Sequence, residues 1–124
     1  MTTLTTAFPV KRIEQSRIKD VDFNNLEFGK YISDHMLMAD FLNGKWQEPV
    51  IVPFGDIPMS PAMLSLHYGQ SVFEGMKAFL NKNGDICIFR PQKHSERLNK
   101  SLARMCMPEL PEELFIQSLH ALVE

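Results

Sequence analysis

The most constraining stretch of the sequence is residues 66–79, which reads Leu-His-Tyr-Gly-Gln-Ser-Val-Phe-Glu-Gly-Met-Lys-Ala-Phe. Gly69 and Gly75 give the backbone freedom, or let a ligand approach it closely, at two points of this stretch. Val72 and Phe73 lie between the glycines and supply an apolar wall. The simplest structural interpretation is a helical turn that leads into a buried strand. A plain core strand does not need this mixture of residues, so the stretch also indicates a binding surface.

The segment before this stretch predicts strands and loops. Residues 36–42, rich in apolar and aromatic side chains, predict a strand that ends at Asn43-Gly44, a dipeptide that accepts positive φ at both central positions of a hairpin turn. The other predicted elements are a frayed tail over residues 1–10, a short helix or arm over 10–18, a loop over 22–29, a return strand beginning at 45–46, a short or edge strand at 50–52 between two prolines, and a loop over 54–61.

The segment from residue 64 onward predicts a helix, a hairpin and two further helices. The predicted elements are a short helix over about residues 64–74 that Gly75 ends, a strand at 76–80, a hairpin loop at 81–85, a strand at 86–89, a helix from Pro91 that Pro108 closes, and a helix from Pro111. Leu98, Leu102 and Met105 recur with helical spacing and predict a buried stripe. The last helix stops within its apolar pattern, as we expect of a truncated domain. Together the elements predict an α+β fold with a mainly antiparallel sheet.

The composition excludes several classes of protein. The chain has 124 residues, enough for one domain, and its formal net charge of −2 gives no electrostatic reason to expect nucleic acid as a partner. Cys87 and Cys106 predict neither a disulfide framework nor a metal site. No apolar run has the length of a membrane span and no signal peptide is recognisable, so we expect a cytoplasmic protein without a membrane partner.

Three groups of residues carry a resemblance to a known family. They are His67-Tyr68-Gly69, the run from Val72 to Phe79, and Phe89-Arg90-Pro91 followed by Glu96-Arg97-Leu98. In this order and spacing they resemble the N-terminal small domain of branched-chain-amino-acid aminotransferases, enzymes of fold type IV that use pyridoxal 5′-phosphate. Residues 33–37 also resemble the first strand of that domain. The resemblance covers residues 26–124 and leaves residues 1–25 as an N-terminal tail or arm.

The resemblance implies roles for five residues. Arg97 matches the arginine that grips the cofactor phosphate, and a guanidinium fork suits that task because it keeps its charge at any working pH. Tyr68, Phe73, Gly75 and Lys77 match positions that line the substrate pocket. The position of Arg97 alone favours a surface arginine near Lys93 or Glu96, and Lys77 is equally interpretable as a solvated strand residue. His67 is given no chemical role, because no acidic partner can be placed beside it.

The resemblance further implies the reaction, the fold and the partners. Family members transfer the amino group of leucine, isoleucine or valine to 2-oxoglutarate, in branched-chain amino acid biosynthesis, and act as homodimers. Their fold is that of the D-amino-acid-aminotransferase-like enzymes. The lysine that binds the cofactor covalently lies in their second, C-terminal domain, which this chain does not contain. We therefore expect no catalytic residue here and no transamination by the chain alone.

Other functions remain open from the sequence. A D-amino-acid aminotransferase and an aminodeoxychorismate lyase have the same fold, although the run Phe73-Glu74-Gly75-Met76-Lys77 favours the branched-chain group. A different class of protein is a stand-alone, non-catalytic α/β module that binds a phosphate-bearing ligand or a protein partner through the same surface.

Overall fold

A computed structural model describes residues 8–123, which form two compact units. The first unit ends at Ile57 and the second begins at Pro58. Short antiparallel strands and three α-helices make the chain a small α+β protein, so the predicted class is confirmed. The strands form three separate two-stranded sheets rather than one larger sheet. The predicted domain limits, 1–25 and 26–124, stay a prediction.

The first unit contains four strands. They are β1 (His35–Met38), β2 (Phe41–Leu42), β3 (Lys45–Trp46) and β4 (Val50–Pro53), preceded by a 3-10 turn at Ile18–Asp20. The prediction of one strand over residues 36–42 is wrong, because β1 pairs with β4 while β2 pairs with β3. Between them the Asp40 carbonyl accepts a hydrogen bond from the Gln47 N–H at 2.8 Å, where the chain changes its pairing partner.

The hairpin turn at Asn43-Gly44 is confirmed. Asn43 has φ 53° and Gly44 has φ 78°, the positive values that a two-residue turn with matching strand twist requires. The strands on either side are held by Phe41 and Trp46, whose rings meet edge to face with centroids 5.3 Å apart. The dipeptide and its apolar flanks therefore determined this hairpin locally.

The N-terminal arm pairs with the middle of β4. Ile51 donates to the Pro9 carbonyl at 2.9 Å and accepts from the Lys11 N–H at 2.8 Å, so Val10 forms a parallel bridge with it. The prediction of a frayed tail is therefore wrong for residues 9 and 10, whereas residues 1–7 lie outside the described part. Residues 10–17 form an arm and not a helix. β4 is short as predicted, but Ile51 is paired on both sides and only 6% exposed.

The second unit contains three helices and a hairpin. They are α1 (Leu64–Tyr68), β5 (Ala78–Leu80), β6 (Ile86–Ile88), α2 (Pro91–Arg104) and α3 (Glu112–Val123). The predicted helix over residues 64–74 is wrong in length. It ends at Gly69, which takes the left-handed conformation at φ 64° and donates its N–H to the Leu64 carbonyl. Glycine adopts that conformation without steric cost, so it ends the helix six residues earlier than Gly75 would.

The hairpin of the second unit is confirmed with shorter strands than predicted. Ala78 lies opposite Ile88 and Leu80 opposite Ile86, so three residue pairs form the ladder. The Asn81 side chain organises the loop between them, because its carbonyl oxygen accepts from the N–H groups of Asn83 and Asp85. Lys77 lies just before β5, so the prediction of a strand over residues 76–80 is wrong for residues 76 and 77.

Helices α2 and α3 pack against each other and contain the core of the second unit. Leu102 on α2 is 7% exposed and Phe115 on α3 is 8% exposed. α2 begins at Pro91 as predicted but ends at Arg104, before Pro108, because Cys106 turns left-handed at φ 54°. Asn99 fastens the connection to α3, since its amide bonds both the N–H and the carbonyl of Leu110 at 2.8 Å.

The described helices were also compared with the dimensions of a bilayer. None of them combines the length and the apolar character needed to cross it.

Candidate functional site

The central stretch runs along α2 after leaving α1. Gln70 donates from its side chain to the Met105 carbonyl at the C-terminal end of α2, at 2.8 Å. Four residues later, Glu74 bonds Arg97 and His94 in the N-terminal half of the same helix. The segment between Gln70 and Glu74 therefore runs antiparallel to α2, and the early helix stop at Gly69 makes this course available.

Glu74 is the centre of a polar cluster. Its carboxylate accepts Arg97 Nε at 2.7 Å on Oε2, and Arg97 Nη2 on Oε1 completes a two-pronged ion pair. His94 Nδ1 lies 3.0 Å from Oε1, and the Gly75 N–H donates to the same oxygen at 2.9 Å. Only 6% of the Glu74 side chain is exposed, against 66% for Arg97. A buried carboxylate thus holds one edge of a guanidinium whose remainder is open to solvent.

The cluster changes the acidity of its members in opposite directions. Hydrogen bonding by Arg97 is the main cause that lowers the pKa of Glu74 from 4.5 to about 2, with smaller contributions from His94 and the Gly75 N–H. Burial opposes this change, because it disfavours the charged carboxylate. The same hydrogen bonds and charge raise the pKa of Arg97 above its ordinary value. The pair is therefore ionised at neutral pH.

This ionisation predicts a loss of stability in acid. The unfolded chain takes up the Glu74 proton near pH 4.5 and the folded chain only near pH 2, so the contribution is complete above about pH 5 and falls as the pH approaches 2. We expect Glu74→Gln to lower the free energy of unfolding by about 1 to 2 kcal/mol at pH 6, since solvent around Arg97 screens the pair. Urea unfolding at pH 6 and at pH 2.5 measures the difference.

The control for this prediction is the comparison of the two proteins at both pH values. Their free energies of unfolding should become similar as the pH approaches 2. Asp34 and Glu96 also have lowered pKa values, so the unsubstituted chain loses stability in acid for several reasons. The gap between it and the Glu74→Gln variant isolates one carboxylate. A gap of equal size at both pH values would contradict the role assigned to the ion pair.

Arg97 lines a groove on the surface of the second unit. The groove has a volume of about 550 Å³, with one wall from the central stretch and the other from a single face of α2. The lining residues are Ser71, Val72, Phe73, Arg97, Lys100, Ser101, Arg104 and Met105. Three cationic side chains facing an apolar wall suit a ligand that has both an anionic group and an apolar or ring portion.

The structure brings together two of the five residues predicted for the site. Phe73, 92% exposed, and Arg97 line the same groove. Gly75 adjoins Glu74, and the space where a side chain would stand at Gly75 is open. Tyr68, at the end of α1, lines a neighbouring concavity of about 400 Å³ that shares Arg104 and Met105 with the groove. Lys77 is exposed and lines neither cavity.

The contacts around Arg97 and His67 bear on the alternative interpretations of these two residues. Lys93 and Glu96 pair with each other at 2.7 Å, so neither is the partner of Arg97. His67 lies with Nε2 2.7 Å from the Pro61 carbonyl oxygen, a contact within the fold. That contact supports the structural role that the sequence favoured for His67.

Sequence reasoning missed several residues of the site. Lys100, Ser101 and Arg104 follow Arg97 by three, four and seven positions, the spacing of one helical face, so this signal was present in the sequence. Glu74 was part of the central stretch, but nothing in the sequence pairs it with an arginine 23 positions away. The same is true of His94, which lies 20 positions from Glu74.

The curated proteins to which the chain is similar carry the same name. The chain is 43% identical over 103 residues to branched-chain-amino-acid aminotransferase 2 of Bacillus subtilis (strain 168), covering 82% of the chain and 28% of that protein. It is 44% identical over 100 residues to the branched-chain-amino-acid aminotransferase of Mycolicibacterium smegmatis, covering 80% and 27%. For a probable branched-chain-amino-acid aminotransferase of Staphylococcus aureus (strain N315), 44% identity extends over 119 residues, or 95% and 33%. No family model matches the chain.

These relatives confirm the resemblance carried by the motifs. Over the span that it covers, the chain is homologous to branched-chain-amino-acid aminotransferases. It spans about three tenths of the length of the curated relatives that it matches.

Proposed function

We propose that this chain is the N-terminal small domain of a branched-chain-amino-acid aminotransferase. The complete enzyme would transfer the amino group of leucine, isoleucine or valine to 2-oxoglutarate. The observation that carries the proposal is identity of 43% to 44% to proteins with this name, over 80% to 95% of the chain. The proposal includes the D-amino-acid-aminotransferase-like fold, the limits 26–124 for the domain, a homodimer, and the cytoplasm as the compartment.

The residues of the groove fit pyridoxal 5′-phosphate as the cofactor. Arg97 offers a charged fork at the edge of the groove, and Lys100 and Arg104 on the same helical face add positive charge. When bound, this cofactor supplies the electron sink that amino-group exchange requires. Arg97 would hold its phosphate, and the groove beside Phe73 would leave room for its pyridine ring. The chain supplies binding and orientation, and the covalent lysine would come from the C-terminal domain.

The other predicted residues would shape the substrate pocket. The Tyr68 hydroxyl would donate a hydrogen bond to the substrate carboxylate, and Phe73 would give a branched aliphatic side chain an apolar surface. The open space beside Gly75 supports close approach of a substrate to the backbone. Lys77 is part of the same proposal, with support from the family resemblance rather than from a cavity.

The test uses the complete polypeptide purified from its source. We expect it to be more than twice as long as this chain, to absorb visible light through bound pyridoxal 5′-phosphate, and to transaminate leucine, isoleucine and valine with 2-oxoglutarate. The 124-residue chain assayed in parallel should give no turnover. Activity on D-alanine without activity on leucine would assign the D-amino-acid enzyme instead. A natural chain that ends at Glu124 and binds no cofactor would replace the enzyme by a binding module.

A further inference from the structure

We propose that Glu74 is a positioning residue, which holds one edge of the Arg97 guanidinium so that its other edge is presented to a phosphate group in the groove. His94 supports this arrangement through its contact with Oε1 of the same carboxylate. The inference rests on the proposed function, because that function assigns the phosphate to Arg97. It adds a role for two residues that the family resemblance did not assign.

Contacts other than the one with Arg97 also fix the Glu74 carboxylate. Its side chain is 6% exposed, and the N–H of the next residue, Gly75, donates to Oε1 at 2.9 Å. His94 Nδ1, on α2, approaches the same oxygen at 3.0 Å. The carboxylate therefore has contacts with the backbone of the central stretch and with the helix that carries Arg97. A group fixed from both sides gives the guanidinium a defined location.

Such a fixed partner matters for a long side chain. Arg97 is 66% exposed, and an arginine in that situation ordinarily samples many rotamers. A free side chain would lose this freedom when it binds a ligand, which weakens the binding. Glu74 restricts the guanidinium in the unliganded protein through Nε at 2.7 Å and through Nη2. The Arg97 side chain then loses its rotamer freedom when the chain folds. Ligand binding does not have to restrict it again.

The geometry leaves enough donors for a phosphate. A guanidinium has five N–H donors, of which Glu74 engages one on Nε and one on Nη2. Nη2 also lies 3.4 Å from His94 Nδ1, but the two donors on Nη1 remain, and a two-pronged contact with phosphate oxygens needs only two. Arg97 can therefore bind Glu74 and a phosphate at the same time, through different edges. Lys100 and Arg104 keep the groove positive although a carboxylate adjoins it.

Two physical effects of Glu74 on phosphate binding have opposite signs. By charge alone, a carboxylate close to the site repels the phosphate, so its removal should tighten binding. By positioning, its removal frees Arg97 and should weaken binding. Whether the phosphate affinity rises or falls when Glu74 is replaced therefore decides between the two effects. The size of the change alone would not distinguish them.

The experiment measures binding of 4′-deoxypyridoxine 5′-phosphate to the complete polypeptide, freed of its own cofactor, by NMR titration. This probe carries the phosphate and the ring but no aldehyde, so it cannot react with lysines. We expect Glu74→Gln to weaken binding about tenfold, the size of one charge-assisted hydrogen-bonded contact. The Arg97 Nε–H signal should at the same time lose its order in ¹⁵N relaxation, a readout that depends on no enzymatic activity. Glu74→Asp, which keeps the charge, should restore part of both.

The matched control is Glu96→Gln. It removes the same charge from the same region, but Glu96 is exposed and pairs with Lys93 instead of Arg97. It should leave the Arg97 signal unchanged and should not weaken binding, because the loss of a nearby negative charge can only favour an anionic ligand. Backbone amide spectra of each variant show whether it is folded before the binding is compared.

The remaining outcomes separate this inference from the proposed function. Tighter or unchanged binding by Glu74→Gln, while Arg97→Gln weakens it, overturns the positioning role alone. Equal binding by the unsubstituted chain and Arg97→Gln, or no binding by any form, overturns the phosphate role of Arg97. The positioning inference then fails with it. An Arg97 Nε–H signal that stays ordered in Glu74→Gln also contradicts the inference.

Discussion

Replacing Leu102 by alanine is expected to lower the free energy of unfolding by about 3 kcal/mol, because it leaves a cavity in a core with few members. Among the described residues of the second unit, only Leu102 and Phe115 are apolar and buried, at 7% and 8% exposed. They lie on α2 and α3, the two helices that pack against each other. Few other buried apolar side chains are available to fill the cavity left by the substitution. Urea unfolding followed by circular dichroism measures the change.

The control for this prediction is the same substitution at Leu122. This residue is on α3 but is 41% exposed, so Leu122→Ala should cost less than about 1 kcal/mol. The two variants remove the same atoms and differ mainly in burial. Equal losses at both positions would show that the buried location of Leu102 does not contribute to the stability of the chain.

Replacing Arg97 by glutamine is expected to weaken binding of 4′-deoxypyridoxine 5′-phosphate about 10- to 100-fold, because a charged two-pronged contact is lost. Arg97→Lys keeps the charge but not the planar fork, so its loss should be smaller but still measurable. Both variants also deprive Glu74, whose side chain is 6% exposed, of its main partner. NMR titration is therefore done at a temperature at which each variant is folded.

The matched control for Arg97 is Arg17→Gln in the first unit. Arg17 also forms an ion pair with a carboxylate, through Nε at 3.2 Å from Asp34 Oδ1, and its side chain is 51% exposed. The substitution removes the same charge far along the sequence from the groove residues. It should leave binding of the probe within twofold, on the order of ordinary surface substitutions. A loss as large as that of Arg97→Gln would mean that net charge, and not a specific arginine, determines binding.

Local patterns were enough to predict many elements. Asn43-Gly44 produced its hairpin because two positive φ values are built into that dipeptide. Pro91 marked the start of α2, and Pro111 immediately precedes the start of α3. In each case the signal lies within a few residues of the feature that it determines.

Predictions failed where two local signals competed. Gly69 and Gly75 are both suitable to end a helix, and the sequence gives no measure of which one takes the left-handed conformation. The structure places it at Gly69. The run at residues 36–42 is apolar except for Asp40, and the predicted strand passed over that residue, where the structure divides the run between two pairing partners. β1 pairs with the more distant β4, whereas β2 pairs with β3 across the adjacent turn, so the choice of pairing partners decided the division.

The site shows the same division between sequence and tertiary structure. The sequence by itself determined the family, the arginine proposed to grip phosphate, and the apolar wall at Phe73, since each depends on residue type and spacing along the chain. Only the tertiary structure placed Phe73 and Arg97 in one groove and gave Arg97 its partner, Glu74. Residues 74 and 97 meet because the early end of α1 lets the central stretch run antiparallel to α2. A carboxylate and a guanidinium attract each other at any sequence separation, so only the course of the backbone decides which two of them meet.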